Sequence, residues 1–357
     1  MTDIIELKIG GKIFNGWKTA NVTRSLNAMT SSFDLTVSDK YIGQYANIPL
    51  NRECKILIGG KPVVTGYLDQ ISPKYSATSH EVQFSGRSKT CDLVDCSAEV
   101  QTGQVLTGTV SELTRKLIAP FGISLRISFS SLTTTIPDFQ VQPGETVQSA
   151  IDRLCKACGL VYTDDENGDL VIQSIGIGMS AGLLVHHTRN GDANNVLSGE
   201  ATYSARETFS SYTVKAQTQG SDFAGGDDIT GIEAKAEDSE VNRYRPLIIN
   251  AENAMNESMA KKRAEWERSQ RRARAFSAEY VVTGWKNSSG SLWAPNSYVM
   301  VDDDFIRARG LLLISEVRLT TGTSGTNASL KLSRPDAYIT QFNLKGFSGW
   351  EELRKGV

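Results

Sequence analysis

The sequence predicts an α+β protein that is mainly β. It has two similar β-barrel or roll modules, a small two-layer α+β domain inserted between them, and one long crossover helix. Three observations carry this. Short apolar alternations, broken by Gly-Gly and polar turns, fill residues 4 to 90 and recur near the C-terminus. Two helical patterns and a hairpin pattern lie between Thr109 and Ile172. Asn250 to Thr283 reads as a charged helix running into a β-rich stretch.

Residues 1–98 form the expected first module. Ile5, Leu7 and Ile9 alternate, and Gly10-Gly11 turns the chain into Lys12-Ile13-Phe14. Phe33, Leu35 and Val37 alternate again. Cys54, Ile56 and Ile58 lead through Gly59-Gly60 to Val63-Val64, then to Leu68–Ile71, a polar turn, and Val82 and Phe84. Residues 99–175 form the expected insert. Thr109-Val110-Ser111-Glu112 is a capping box ahead of Leu113, Leu117 and Ile118, and Pro120 stops that helix. From Thr146 a second helix places Val147, Ala150, Ile151, Leu154 and Cys158 on one face, and Gly159 suits its C-cap. Leu160-Val161-Tyr162 and Leu170-Val171-Ile172 make a hairpin around Asn167-Gly168.

Residues 176–340 form the expected second module. Before residue 245 one strand pattern is clear, Tyr212-Thr213-Val214, and 220–228 reads as a mobile loop. The helix 251–275 is capped by Asn250. It carries Glu252 and Glu257 early and Arg268, Arg271, Arg272 and Arg274 late, which complements the helix dipole. Glu257–Lys261 and Glu267–Arg271 are i, i+4 pairs. Met255, Met259 and Trp266 form a narrow apolar stripe, and with Arg268, Arg271 and Arg272 they are the candidate subunit interface. Strands follow at Tyr298–Val301, Leu311–Ile314, Val317–Leu319 and Leu330–Leu332. Residues 341–357 read as a tail, with Phe347 and Trp350 as candidate anchors. Cys54–Thr78 aligns without a gap on Ser297–Thr321, the mark of an internal duplication.

With 357 residues, two to four domains are expected. With a net charge of −2, nothing global argues for a nucleic-acid or anionic-membrane surface. Five cysteines are an odd count and fit unpaired thiols in a reducing compartment. No signal-peptide pattern stands at Met1–Glu6, and no apolar run approaches the roughly 20 residues of a membrane helix, so a soluble product is expected.

Motifs for chemistry are absent or poorly spaced. His186 and His187 are neighbours, and neighbours on a strand face opposite ways; His80 lies in a polar turn. Cys91, Cys96, Cys155 and Cys158 can be grouped as a zinc set, but the second pair falls inside an apolar helical face. The acidic run Asp164–Asp169 lacks calcium-loop spacing and reads as a solvated hairpin tip; Asp302-Asp303-Asp304 reads as a turn. Lys261-Lys262-Arg263 and Arg268–Arg274 are interleaved with Glu265 and Glu267, as on a solvated or intersubunit helix. No catalytic, cofactor-binding or metal residue is therefore assigned.

Four features in this order resemble one family. They are the N-terminal β-module; Phe139-Gln140-Val141-Gln142-Pro143-Gly144-Glu145-Thr146-Val147 with Gly159-Leu160; Phe209-Ser210-Ser211-Tyr212-Thr213-Val214; and the basic helix followed by a second β-module. Together they resemble the baseplate hub proteins of contractile phage tails, similar to the 43 kDa tail protein of Mu-like phages and prophages. The resemblance implies a virion structural protein, made in the host bacterial cytoplasm, with no cofactor and no catalytic site. It implies a homotrimer whose paired modules match a six-fold tail tube to a three-fold central spike. Other baseplate proteins surround it, and DNA passes through a central channel without sequence-specific binding. It implies no stable membrane insertion. A tail-borne cell-wall hydrolase, a zinc-stabilised binding module, and the hub of a phage-derived secretion or bacteriocin device are the alternatives.

Overall fold

A computed structural model describes residues 4–38, 48–99, 106–128, 135–158, 160–173, 180–189, 191, 194–217, 231–250, 257–323 and 325–338. These residues divide into two compact units. One is drawn from Met1–Gly199 and Glu279–Leu332, the other from Glu200–Ala278 and Ser333–Val357. The protein is mainly β, with few helices.

The first unit begins with β1 (Ile5–Ile9), β2 (Lys12–Phe14), β3 (Thr19–Ser25), β4 (Ser32–Ser38), β5 (Glu53–Ile58), β6 (Lys61–Tyr75) and β7 (His80–Ser88). Ile5, Leu7, Ile9, Phe33, Leu35 and Val37 are buried, so the period-two alternation marks the core face. Gly59 and Gly60 have φ of 56° and 76°, as a two-residue hairpin turn between β5 and β6 requires. β6 is one continuous strand of 15 residues, where the sequence pattern showed separate pieces. Arg87 on β7 reaches Asp69 on β6 at 2.7 Å and Asp95 beyond it at 2.8 Å, and holds the Asp95 carboxyl below its usual range.

The insert follows as α1 (Cys91–Asp95), β8 (Leu106–Thr109), α2 (Val110–Ile118), β9 (Leu125–Ser128), β10 (Thr135–Phe139), α3 (Val147–Cys158), β11 (Val161–Asp164) and β12 (Leu170–Gln173). The capping box is formed in full: Glu112 N–H donates to Thr109 Oγ1, and Thr109 N–H donates to Glu112 Oε2. Ser149 N–H donates to Thr146 Oγ1 at the start of α3. Leu113, Leu117, Ile151 and Leu154 share one core with Leu170 and Ile172. Met29, from the β3–β4 connection, and Leu93 reach into the same core. Gly159 lies outside the described residues, as does the side chain of Cys158.

The hairpin tip of the insert is not solvated. Asp164 is 2% exposed and accepts hydrogen bonds from Ser31 N–H (3.0 Å) and Ser31 Oγ (2.7 Å). Thr65 Oγ1 donates to Glu166 O at 2.8 Å, and Asp165 Oδ1 accepts from the amides of Asn167 and Asp169. Gly168 has φ +76°, and a Cβ there would lie 2.4 Å from Thr65 O. The acidic run is a polar joint to the first β-module; its acidity mimics a solvated loop because the acceptors it provides are used by buried donors.

Six strands of the large sheet make the second module: β13 (Ser180–His186) and β14 (Ser198–Tyr203) and, later in the chain, β18 (Phe276–Thr283), β19 (Tyr298–Asp303), β20 (Ala308–Gly322) and β21 (Gly325–Ser333). Hydrogen bonding runs β14-β18-β21-β20-β19 in this copy and β3-β4-β7-β6-β5 in the first. The outermost strands differ, since β1 is antiparallel to β5 while β13 is parallel to β19. Both long strands have 15 residues. Both receive a bond from an asparagine in left-handed conformation. Asn51 (φ 56°) donates its N–H to Leu68 O at 3.1 Å, and Asn296 (φ 62°) donates to Ile314 O at 2.9 Å. The duplication is therefore structural. The gapless alignment does not hold, because Gly59-Gly60 in one copy is replaced by Asp304–Arg307 in the other. Val317–Leu319 continues the strand that contains Leu311–Ile314, with no turn between them.

The other unit holds β15 (Ser211–Gln217), β16 (Gly231–Glu237), β17 (Pro246–Asn250) and α4 (Glu257–Arg274). The strand order is β16-β15-β17, with β17 parallel to β15. Among the described residues of 176–245 there are thus four strands where one was legible. Asn250 ends β17 opposite Lys215, since Leu247 and Ile249 carry the strand alternation up to it, and residues 251–256, on which its reading as a helix cap depends, lie outside the described residues. The helix joins β17 to β18, strands of different sheets, so it is not a crossover within one sheet. Residues 220–228, Met255 and the tail 341–357 lie outside the described residues.

Replacing Asp164 with Ala leaves the buried Ser31 hydroxyl without its acceptor and the Ser31 amide with Ser88 Oγ alone, at 3.2 Å. Loss of such charge-assisted bonds costs about 2–3 kcal/mol. Urea unfolding should show that loss, and an unchanged midpoint and slope would refute the joint.

Candidate functional site

Helix α4 is the element that the sequence marked for contact with another subunit, and its geometry is set by small side chains. Ala260 and Ala264 are buried against Val214, Ala234 and Ala236, with Ile232 and Ile249 alongside. Glu267, Gln270 and Ala273 continue the buried line. Among the described residues, the face that meets the sheet is therefore an alanine seam. Small residues let the helix lie close to the strands, which bulky ones would hold apart. Trp266 is half-buried to the side of this seam, with the Arg263 guanidinium 4.8 Å over its ring. The side chain of Met259 lies outside the described residues, as does Met255.

Arg263, Arg268, Arg271 and Arg272 of the helix have partners inside their own unit. Arg272 grips Asp238 with two bonds, Nε to Oδ2 at 2.8 Å and Nη2 to Oδ1 at 2.6 Å, and also reaches Glu240 at 2.9 Å. Asp238 is buried, so this is a fork-to-fork pair in a desolvated place. Arg268 Nη1 donates to Glu237 O at 3.0 Å. Arg271 Nε donates to Glu267 Oε2 at 3.3 Å, and its guanidinium lies 5.4 Å from the Phe209 ring. Arg245 stacks on the same ring at 5.0 Å and donates to the carbonyls of Ala205 and Arg206. Sequence reasoning missed Asp238 and Phe209 as partners. The signal was the acidic run Glu237–Glu240, which complements the arginine run but is distant from it in the chain.

The remaining titratable groups form turns and struts. Asp303 is buried and accepts from Tyr280 Oη at 3.2 Å and from the amides of Phe305 and Ile306; Asp302 and Asp303 end β19 instead of forming a turn, and the turn is Asp304–Arg307. His187 Nε2 lies 2.9 Å from Asp302, while Arg309 reaches the other oxygen of that carboxylate at 3.2 Å. His186 meets Asn194 instead, so the two histidines do serve different partners. Cys54, Cys91 and Cys155 are buried and Cys96 is exposed. Burial pushes the thiols of Cys54 and Cys91 up to about 12, which keeps them protonated at neutral pH. Among the described residues no group of three or more His, Cys, Asp or Glu is placed to hold a metal ion. Phe347 and Trp350 lie outside the described residues.

Residues 4–88 match the family described as Mu phage baseplate assembly protein GpP-like, N-terminal, and residues 90–174 match baseplate hub protein gp44-like, second domain. Residues 208–266 match tail protein NMB1110-like, third domain, and 256–341 match Mu phage baseplate assembly protein GpP, fourth domain. Baseplate hub protein gp44 of Escherichia phage Mu is 31% identical over 326 residues, covering 89% of this chain and 84% of that protein. The chain belongs to the gp44-like baseplate hub family.

Two solved structures agree with this. The 43 kDa tail protein of prophage MuSo2 from Shewanella oneidensis is 35% identical, covers 94% of the hub and 99% of its own chain, and superposes with a TM-score of 0.81. The tail protein from Neisseria meningitidis MC58 has the same fold, with a TM-score of 0.79 at 23% identity and coverage of 94% and 99%. The hub is thus a structural component of the phage tail baseplate, a virion protein and not an enzyme. No helix among its described residues is long and apolar enough to cross a membrane.

Removing one partner of a buried ion pair strands the other charge, at a cost of about 3–5 kcal/mol. Arg272→Ala should approach that loss in chemical denaturation, and Arg268→Ala, which gives up one bond to a carbonyl, should lose much less. Equal, small losses would mean that Arg272 is no internal strut.

Proposed function

We propose that the hub works as a homotrimeric ring that joins the six-fold tail tube to the three-fold central spike. The observation that supports this is the duplicated strand path. Each chain carries two equivalent modules, so three chains offer six equivalent positions to a tube above and three to a spike below. One gene product thereby meets both symmetries, and a closed ring leaves an axial channel through which DNA passes. Tube, spike and neighbouring baseplate proteins are the partners in this reading, and synthesis takes place in the host bacterial cytoplasm.

In the same proposal the chain divides at about residues 98, 175 and 340 into first module, insert, second module with its helix, and tail. Part of the surface between copies comes from α4 through Met255, Met259, Trp266, Arg268, Arg271 and Arg272. The arginines are held in fixed directions by Glu237, Asp238 and Glu267, which lowers the entropy lost when they meet a neighbour. Phe347 and Trp350 anchor the tail on a partner. An obligate ring contact buries on the order of 2,000 Å² or more.

Light scattering over a range of concentrations tests the ring. The expected mass is near three times 38.9 kDa. A stable dimer, or a monomer at every concentration, would overturn it. In the trimer, Trp266→Ala with Met259→Ala should leave the chain folded and reduce its mass towards that of one copy; a folded, fully trimeric double variant would remove α4 from the interface.

A further inference from the structure

Among the described residues, the two copies of the β-module differ in how their long strands are covered: the long strand of the second has a neighbour that the long strand of the first lacks there. The front half of β20 pairs with β19, and its back half, Glu316–Thr321, pairs with β3 along the same edge. The front half of β6 pairs with β5 up to Tyr67, and Asn51 N–H reaches Leu68 O. Beyond Leu68, that edge of β6 has no strand partner among the described residues, while β7 covers the opposite edge as far as Tyr75.

Burial records the same difference. Val317 and Leu319 on β20 are 1% and 2% exposed. Leu68 and Ile314 each take the bond from a left-handed asparagine; past the bulge between Leu68 and Gln70 the core face of β6 resumes at Ile71, opposite the buried Phe84, as that of β20 does at Val317, so Val317 and Leu319 are matched with Ile71 and Pro73. Ile71 is half-buried and Pro73 exposed, and Tyr75 at the end of the strand is 86% exposed. The strand that would cover them is the counterpart of β3. That counterpart is β14, which lies at the end of the hydrogen-bonded order with β18 as its one strand neighbour among the described residues. No strand lies on its other edge there.

We propose that β14 of one copy pairs antiparallel with the back half of β6 in the next copy, Gln70–Tyr75, repeating between chains the β3–β20 pairing found within one. This rests on the ring reading and names its joint. The register follows from the internal pairs. Ala20 of β3 lies opposite Leu35, and Gly199 of β14 packs on the ring of Tyr280, the buried residue of β18 that corresponds to Leu35. Ala20 and Gly199 are therefore equivalent. Asn21, Val22, Thr23 and Arg24 then correspond to Glu200, Ala201, Thr202 and Tyr203. Within the chain Thr320 faces Asn21, Arg318 faces Thr23 and Val317 faces Arg24. Between chains Lys74 then faces Glu200, Ser72 faces Thr202, and Ile71 faces Tyr203.

The chemistry of that register is complementary. Opposite charges, two small hydroxyl residues and an apolar pair each meet across the ladder, and cross-strand pairs of these kinds favour one register over its neighbours. Pro73 brings no N–H, so the ladder has one donor fewer at that step. A proline and a lysine on an open edge discourage indiscriminate strand addition, and Glu200 is the residue that makes Lys74 a point of selection instead. The contact is head-to-tail, so it closes a ring when the rotation between copies is right.

Paired cysteines test it. The background is Cys96→Ser, because Cys96 is the exposed native thiol among the described cysteines. Ser72→Cys and Thr202→Cys together, after mild oxidation, should give reductant-sensitive species up to a trimer on a non-reducing gel, and neither single variant should. A trimer by light scattering that shows no linkage beyond the single variants sinks the strand pairing and leaves the ring reading intact. A monomer at every concentration without linkage sinks both. As a second measurement, Lys74→Glu should weaken association at least tenfold, and adding Glu200→Lys should restore it. Failure of the reversed pair to restore association removes the register.

Discussion

A strand of 15 residues has more backbone along each edge than one ordinary neighbour covers, and backbone donors and acceptors that leave water need partners. This constraint organises the large sheet. In both modules the first neighbour stops at the middle of the long strand, where an asparagine in left-handed conformation turns the chain away while its amide makes the last bond. Asparagine suits the place because its short polar side chain tolerates positive φ better than most residues do. The remaining half of the edge then calls for a second strand. In β20 that strand is β3, which brings the first and last thirds of the sequence into one sheet.

How far this was legible in the sequence depends on how local each cause is. The Thr109–Glu112 box and the alternation of Phe33, Leu35 and Val37 were readable because the deciding residues are neighbours in the chain. The duplication was visible as an alignment of Cys54–Thr78 with Ser297–Thr321. Its exact pairing was hidden by the longer connection before β20, which no local pattern announces. The charge and composition of Asp164–Asp169 pointed to water, since nothing near them in sequence shows that Ser31 and Thr65 will arrive as donors. The strands β13, β14 and β16 were obscured by Gly, Ser and Glu, residues with weak strand preference that the neighbouring strands override.

Helix α4 shows the same limit from the other side. A helix with three large apolar residues and many arginines reads as a sticky stripe on a charged rod. Among the described residues the sheet takes the alanines, whose weak individual hydrophobicity made them easy to pass over. Close approach then brings Arg272 within reach of a buried carboxylate and leaves Trp266 at the flank. Of the candidate interface residues, the three arginines are placed by contacts within their own unit, which gives them a fixed geometry before any neighbour arrives. The family assignment did not depend on these details: it came from the order of the modules, and the relatives share that order over most of their length.

The polar joint between the insert and the first module also bears on how such genes diversify. Its two halves lie far apart in the chain, with Ser31 and Thr65 before the insert and Asp164 and Gly168 near its end. A recombination that exchanges the insert as a cassette imports one half of the joint and inherits the other. The exchange yields a sound hub when the incoming hairpin carries an acceptor that fits Ser31 and a residue without a side chain where the strand backbone presses on it. Viable breakpoints are thus restricted by a handful of atoms at the seam, and lineages that trade inserts freely will be those that have kept both halves unchanged.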